Sequence, residues 1–258
     1  MAFMELKIHS DCLGHGVSVN VIIPQYAETI IGMDGKEEAS FKTLYLLHGL
    51  SDDHSMWARR SSIERYAAER GLAVVMPCVD RSWYTDTVYG AKYFSFITDE
   101  LPYIMRKFFR GMSDKREDNF IGGLSMGGYG AMKACLTYPD RYCGCIALSG
   151  AFDIENMARN LITDEWKYIF GMNEPEELKD SKHDVFHLAR VAVGNCVKLP
   201  KIYMWCGYGD FIYGSSEKMD KVLTDCGIDH LYEKSEGDHS WGYWDKYVVH
   251  GIDYVLGE

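Results

Sequence analysis

The sequence has no apolar run approaching the ~20 residues that a membrane-spanning helix needs. Its opening stretch, MAFMELKIHS, lacks the basic and apolar segments of a secretory leader. A soluble, cytoplasmic protein with no membrane partner is the expectation. Basic residues are also scarce: 27 Lys and Arg stand against 38 Asp and Glu, a net charge of −11. Nucleic acids and anionic membranes select basic surfaces, so neither is an expected partner. The acid excess is diluted along the chain and densest over 173–184, where a solvated surface accounts for it.

No CxxC occurs. The eight cysteines, Cys12, Cys78, Cys135, Cys143, Cys145, Cys196, Cys206 and Cys226, do not form a disulfide framework in a chain this long, and most are expected as small reduced core residues. Cys143 and Cys145 lie two apart in an expected strand, so they share a face and cannot easily bridge each other. His183 and His187 have the i, i+4 spacing of a helical metal pair, but no third ligand of obvious spacing follows. Packing or surface roles are expected for both, with no metal and no cofactor. No repeat, low-complexity tract or Pro/Gly/Ser linker divides the chain.

What is present is a 258-residue chain, 47% apolar and 14% aromatic, enough for one sizeable core and a deep apolar pocket. Apolar runs alternate with helical patterns, the mark of an α/β class with a mostly parallel sheet and helices on both faces. Residues 5–10 and 17–24 read as an antiparallel lead-in hairpin. Buried strands are expected at 43–48, 72–78, 119–123, 142–149 and 201–206, with a last strand at 230–234. Ser61 and Glu64 have the spacing of a capping box before a helix that Gly71 ends. Further helices are expected at 93–109, with a kink at Pro102, and at 126–138, 215–226 and 243–256. From about 153 to 199 no strand is evident, only helix-like pieces at 165–170 and 185–193. So long an interruption between two core strands reads as a small cap inserted over the strand ends of a single domain.

Gly123-Leu-Ser125-Met-Gly127 matches G-x-S-x-G, and its context decides its meaning. An apolar strand precedes it and a helix follows, the setting in which a tight turn exposes a serine hydroxyl at the carboxyl edge of a sheet. No G-x-G-x-x-G and no Walker-type lysine accompanies the glycines, so a phosphate-binding turn fits less well. A serine nucleophile needs a base and a group to orient that base, in the chain order serine, acid, histidine. His239 lies between the last strand and the last helix, at a carboxyl end; His250 falls inside the helix and His230 begins a strand at the wrong edge. Asp210 follows the strand KIYMWC at the same edge, ahead of Asp225 as the acid. The oxyanion needs two backbone donors. The amide of Met126 is one, and the amide of Leu50, in His48-Gly-Leu, is the other. His48 is expected to shape that loop by a buried hydrogen bond. The aromatic loop 79–93 offers Trp83, Tyr84 and Tyr89 either as pocket walls or as ordinary packing.

HGL at 48–50, the SWYTD run with its following Y-F, ELP at 100–102, GLSMGGYGA, CGYGDFIY and GDHSWGYWD recur in order over nearly the whole chain. Together they resemble the "Putative esterase" family, within it the tributyrin esterases and related feruloyl and acetyl esterases, and more distantly S-formylglutathione hydrolase. The resemblance implies an α/β-hydrolase fold, no cofactor, Ser125, Asp210 and His239 as a triad, and Leu50 and Met126 as oxyanion donors. Tyr208 and Gly209 depart from the Thr-Glu that relatives often carry before the acid. The activity implied is that of a serine carboxylesterase on short-chain acyl esters. Feruloyl or acetyl release from carbohydrate, an S-formylglutathione-type thioesterase, and a catalytically silent binding protein of the same fold are the alternatives. A small ester, including an acylated carbohydrate, is the expected partner, with a homo-oligomer left open.

Overall fold

The uninterrupted apolar runs become the interior of one eight-stranded sheet, because a strand covered on both faces must be apolar at every position. The computed structural model describes residues 1–25, 40–194 and 198–257. In chain order these form β1 (Ala2–Ser10), β2 (His15–Ile23), β3 (Thr43–Leu47), α1 (Met56–Arg60), α2 (Ile63–Glu69) and β4 (Ala73–Pro77). There follow α3 (Tyr93–Ser95), α4 (Leu101–Phe108), β5 (Asn119–Leu124), α5 (Met126–Thr137) and β6 (Gly144–Leu148). After β6 come α6 (Ile154–Asn160), α7 (Trp166–Phe170), α8 (Val185–Gly194), β7 (Lys201–Gly207), α9 (Tyr213–Asp225), β8 (His230–Ser235) and α10 (Trp241–Leu256).

The sheet order is β1-β2-β4-β3-β5-β6-β7-β8. β1 and β2 form the expected hairpin, in register from Ala2 opposite Ile23 to Ser10 opposite His15. β2 is antiparallel to β4, and every pairing from β4 to β8 is parallel. The parallel strands therefore all point their carboxyl ends to one edge, where ligands of such sheets bind. Successive residues face opposite layers. Leu44, Leu46, Val74 and Phe120 pack with Trp57, Ile63 and Val248 of α1, α2 and α10. Tyr45, Leu47, Val75 and Ile121 pack on the other face with Leu101, Tyr129 and Met132 of α4 and α5.

Two local expectations need correction. The spacing Ser61/Glu64 suggests a capping box, but α2 has no side-chain cap at its N-cap residue, Ser62. Ser61 Oγ accepts from the Ile63 amide at 3.3 Å, and the Ser62 amide is taken by Asp245 Oδ1 of α10 at 2.7 Å. The helix expected over 93–109 is not one regular helix: a π-helical turn, Phe96–Glu100, joins α3 to α4 just before Pro102. Proline has no N–H to offer the carbonyl one turn back. That carbonyl, of Thr98, accepts from Arg141 Nη1 at 2.9 Å.

Seven cysteines are unpaired, with Cys135, Cys145 and Cys206 buried. Cys196 lies outside the described residues. His183 and His187 do not share a helix. His183 precedes α8, buried with Nδ1 3.4 Å from Lys133 Nζ, while His187 sits on α8 facing Asp180. Among the described residues no helix is long and apolar enough to cross a membrane.

Candidate active site

At the carboxyl edge, between β5 and α5, the chain reverses in a single residue. Ser125 has φ +54°, ψ −118°, a conformation L-residues rarely adopt, and it is held from both sides. Its amide donates to Leu148 O at 2.9 Å, and its carbonyl accepts from the amides of Tyr129 and Ala151, each at 3.1 Å. The flanking glycines have steric reasons. A Cβ on Gly127 would lie 2.4 Å from Leu47 O, and one on Gly123 would lie 2.6 Å from the Gly127 backbone. The turn can only be this tight without side chains there.

The loop after β8 brings His239 to the same place. Its Nε2 is 3.1 Å from Ser125 Oγ, and its Nδ1 is 3.0 and 2.9 Å from the two carboxylate oxygens of Asp210. Asp210 follows β7 and is 5% exposed. Burial pushes its carboxyl up, but the hydrogen bond and charge of His239, the Ile212 amide and the Ser149 hydroxyl outweigh it and hold the group below the usual carboxylate range. It therefore stays an acceptor that fixes the His239 Nδ1–H tautomer and leaves Nε2 free to take a proton. The competing residues are elsewhere. Asp225 is exposed on α9 beside Lys221, His230 is bonded to Asp220, and His250 faces Glu233.

Three features of this site were not legible in the sequence. The His239 ring is packed between Phe211, at 4.6 Å, and the Trp244 indole, which meets it edge-on at 4.8 Å. Trp244 Nε1–H donates to the Oγ of Ser149, a fully buried residue with φ +45° at the end of β6. Asp52, in the loop after β3, accepts from the Gly49 amide at 3.2 Å, and burial pushes its carboxyl up. The only sequence signals were the paired tryptophans of SWGYWD and the acid pair after HGL.

The loop after β3 is gripped at several atoms. His48 is buried, which pushes its imidazole down towards the neutral form. Its Nε2 accepts from the Val79 amide at 3.1 Å, so Nδ1 carries the hydrogen and donates to Gly49 O at 2.7 Å. The Gly49 carbonyl and the Leu50 amide belong to one planar peptide unit, so holding one fixes the other. With the Gly49 amide occupied by Asp52, Leu50 carries the next N–H along this loop. Met126 begins α5, where helix geometry leaves the first amides without intrahelical partners.

Of the two readings of the loop 79–93, Trp83 and Tyr84 take the ordinary-packing one. Trp83 and Tyr84 are 1% and 0% exposed, with φ of +50° and +47°, so the loop after β4 turns them inward. Trp83 packs against Tyr129, and the Tyr84 hydroxyl donates to His48 O at 2.8 Å. Tyr89 is 69% exposed and lies against Tyr168 of α7 on the surface.

A family description matches most of the chain. The "Putative esterase" family covers residues 10–251. This chain belongs to that family. An acetyl esterase from Caldicellulosiruptor saccharolyticus is 32% identical over 99% of this chain and 98% of its own length. Among solved structures, the fluorophosphonate-binding serine hydrolase FphF of Staphylococcus aureus, in a substrate-bound form, is 35% identical, with TM-score 0.87 over 100% of this chain and 99% of that one. An S-formylglutathione hydrolase (FrmB) from Staphylococcus aureus is also 35% identical, with TM-score 0.86 over 99% and 98%. The fold is the α/β-hydrolase fold, and the protein is a serine esterase.

Proposed function

We propose that this esterase hydrolyses short-chain acyl esters through an acyl-enzyme on Ser125. The observation that carries this reading is the continuous chain Ser125 Oγ, His239 Nε2, His239 Nδ1, Asp210, with each contact between 2.9 and 3.1 Å. As Ser125 Oγ bonds to the ester carbonyl carbon, His239 takes its proton and the carbonyl oxygen becomes an oxyanion. The amides of Leu50 and Met126 receive that charge. The imidazolium, stabilised by Asp210, returns the proton to the alcohol oxygen as the C–O bond breaks. Water then attacks the acyl carbon and gives a proton to His239, which hands it back to Ser125 as the carboxylic acid departs. Every proton is accounted for with one imidazole, and no cofactor enters.

The segment from α6 to α8 serves in this reading as a small cap. It is anchored by Tyr129 Oη on His183 O at 2.8 Å and by the Arg81–Glu165 ion pair at 2.8 Å. Phe211, 67% exposed, lies 4.6 Å from the His239 ring and offers an apolar surface beside it. One small apolar surface suits an acyl group of about two to four carbons, since each further methylene gains its ~0.8 kcal/mol only against a dry wall. The acetyl esterase relative supports the same range. A second reading, thioester hydrolysis of the S-formylglutathione type, is supported by the 35% identity to the staphylococcal hydrolase of that name.

The test is a panel of acetyl, butyryl, octanoyl, palmitoyl and cinnamoyl nitrophenyl esters together with S-formylglutathione, compared by kcat/KM. An acetyl or butyryl optimum supports the proposal. A palmitoyl or cinnamoyl optimum refutes it, and a preference for the thioester moves the second reading to first place.

A further inference from the structure

The two amides that receive the oxyanion sit on different elements. Met126 begins α5, and Leu50 belongs to the loop after β3. Their separation is the quantity that must not drift, because donors stabilise a transition state only while they stay aimed at one point.

Two turns down α5 from Ser125, Lys133 is buried, at 3% exposure. Its Nζ donates to Tyr84 O at 3.1 Å and to Thr85 Oγ1 at 2.9 Å, lies 3.4 Å from His183 Nδ1, and stands over the Phe94 ring at 4.7 Å. Burial pushes the Lys133 amine down to about 7, and two oxygen acceptors are partners that its N–H groups can bond in either protonation state. The backbone it holds is the inward-turned pair Trp83–Tyr84, whose two successive positive φ values cost energy that surrounding bonds must offset. Tyr84 then reaches back across α5. Its ring fills the space where a Cβ on Gly130 would sit, 2.4 Å away, and its hydroxyl donates to His48 O at 2.8 Å. Burial keeps that phenol protonated, so it is a donor at any working pH.

We propose that Lys133 and Tyr84 form a strut that sets the distance between the two oxyanion amides. One end is α5, which carries the Met126 amide. The other end is the His48 carbonyl, one peptide plane before the unit that carries the Leu50 amide. Lys133 and Tyr84 are positioning residues: neither touches the reacting atoms. The inference rests on the oxyanion reading given above.

The experiment uses the full chain with Tyr84→Phe, Lys133→Met and the double variant. Each is assayed with nitrophenyl butyrate, for inhibition by butylboronic acid, whose tetrahedral adduct places a hydroxyl in the oxyanion site, and by thermal melting. Tyr84→Phe removes a single oxygen and should fold even where Lys133→Met does not. The expected result is a kcat reduced about tenfold, smaller than for outright loss of a donor, with KM within about twofold and boronate affinity falling in parallel. The double variant should be no worse than the poorer single one, as for two parts of one strut. A Tyr84→Phe kcat within about twofold of wild type overturns the strut, as does a loss confined to KM or a double variant whose losses multiply. Fluorophosphonate labelling separates this from the wider reading: if Ser125→Ala still labels, both fall, whereas labelling confined to Ser125 with an unaffected Tyr84→Phe removes the strut alone.

Discussion

Trp244 meets the His239 ring edge-on at 4.8 Å while its Nε1–H is held by Ser149 Oγ at 3.0 Å. Ser149 also stands beside the Asp210 carboxyl. His239 and Asp210 are thus supported by two residues that sequence reading did not single out. Ser149→Ala should lower kcat several-fold, because Asp210 loses one of its donors. It should also destabilise the fold by about 1–3 kcal/mol, because the buried Trp244 N–H loses its acceptor. Steady-state kinetics and urea unfolding measure the two effects separately. Unchanged values in both would show that the Trp244–Ser149–Asp210 contact does no supporting.

Asp210→Asn should reduce kcat by about 10⁴-fold, because the amide cannot stabilise the imidazolium and favours the wrong tautomer. Asp225→Asn should leave kcat within about twofold, since Asp225 is an exposed partner of Lys221. Kinetics on the two variants decide between the acids, and the reverse ranking would refute the edge argument.

Gly127→Ala should be poorly soluble or destabilised by about 3 kcal/mol or more, since its Cβ would lie 2.4 Å from the backbone oxygen of Leu47. The urea midpoint is the readout. A midpoint equal to wild type would mean that the turn around Ser125 is looser than described.

Acid should weaken the fold through His183. Burial, then the nearby Lys133 and Lys182 charges, push its imidazole down to about 2. The unfolded chain takes a proton below about 6.5, whereas the native site stays neutral, so stability is full above that value and falls as pH drops below it. At pH 5 the loss from this one residue is about 2 kcal/mol. His183→Gln should flatten the melting temperature between pH 7.5 and 5 relative to wild type. An equally steep profile in the variant would assign the acid sensitivity to other groups.

The parallel strands were legible because a strand buried on both faces must be continuously apolar, as TLYLL and AVVMP are. The meeting of Ser125, Asp210 and His239 was legible because each follows a strand at the carboxyl edge, a position that chain order alone defines. What could not be read depends on contacts between distant segments. The helix starts one residue later than the Ser61/Glu64 spacing implies, with Ser62 as its N-cap residue and the Ser62 amide held by Asp245 from across the chain. The π-turn before Pro102 is stable because Arg141 satisfies the freed carbonyl. The sequence left Trp83 and Tyr84 open between pocket walls and ordinary packing. Two left-handed residues in a row, held by Lys133, turn them inward, and no local pattern announces that.

The most direct test of the account is intact-protein and peptide mass spectrometry of the enzyme quenched during turnover of nitrophenyl butyrate, run beside Ser125→Ala. The account predicts a butyryl adduct on the peptide containing Ser125, none on the variant, and a kcat in the variant lower by several orders of magnitude. An adduct on another residue, or a Ser125→Ala variant retaining more than about a tenth of wild-type turnover, would contradict it.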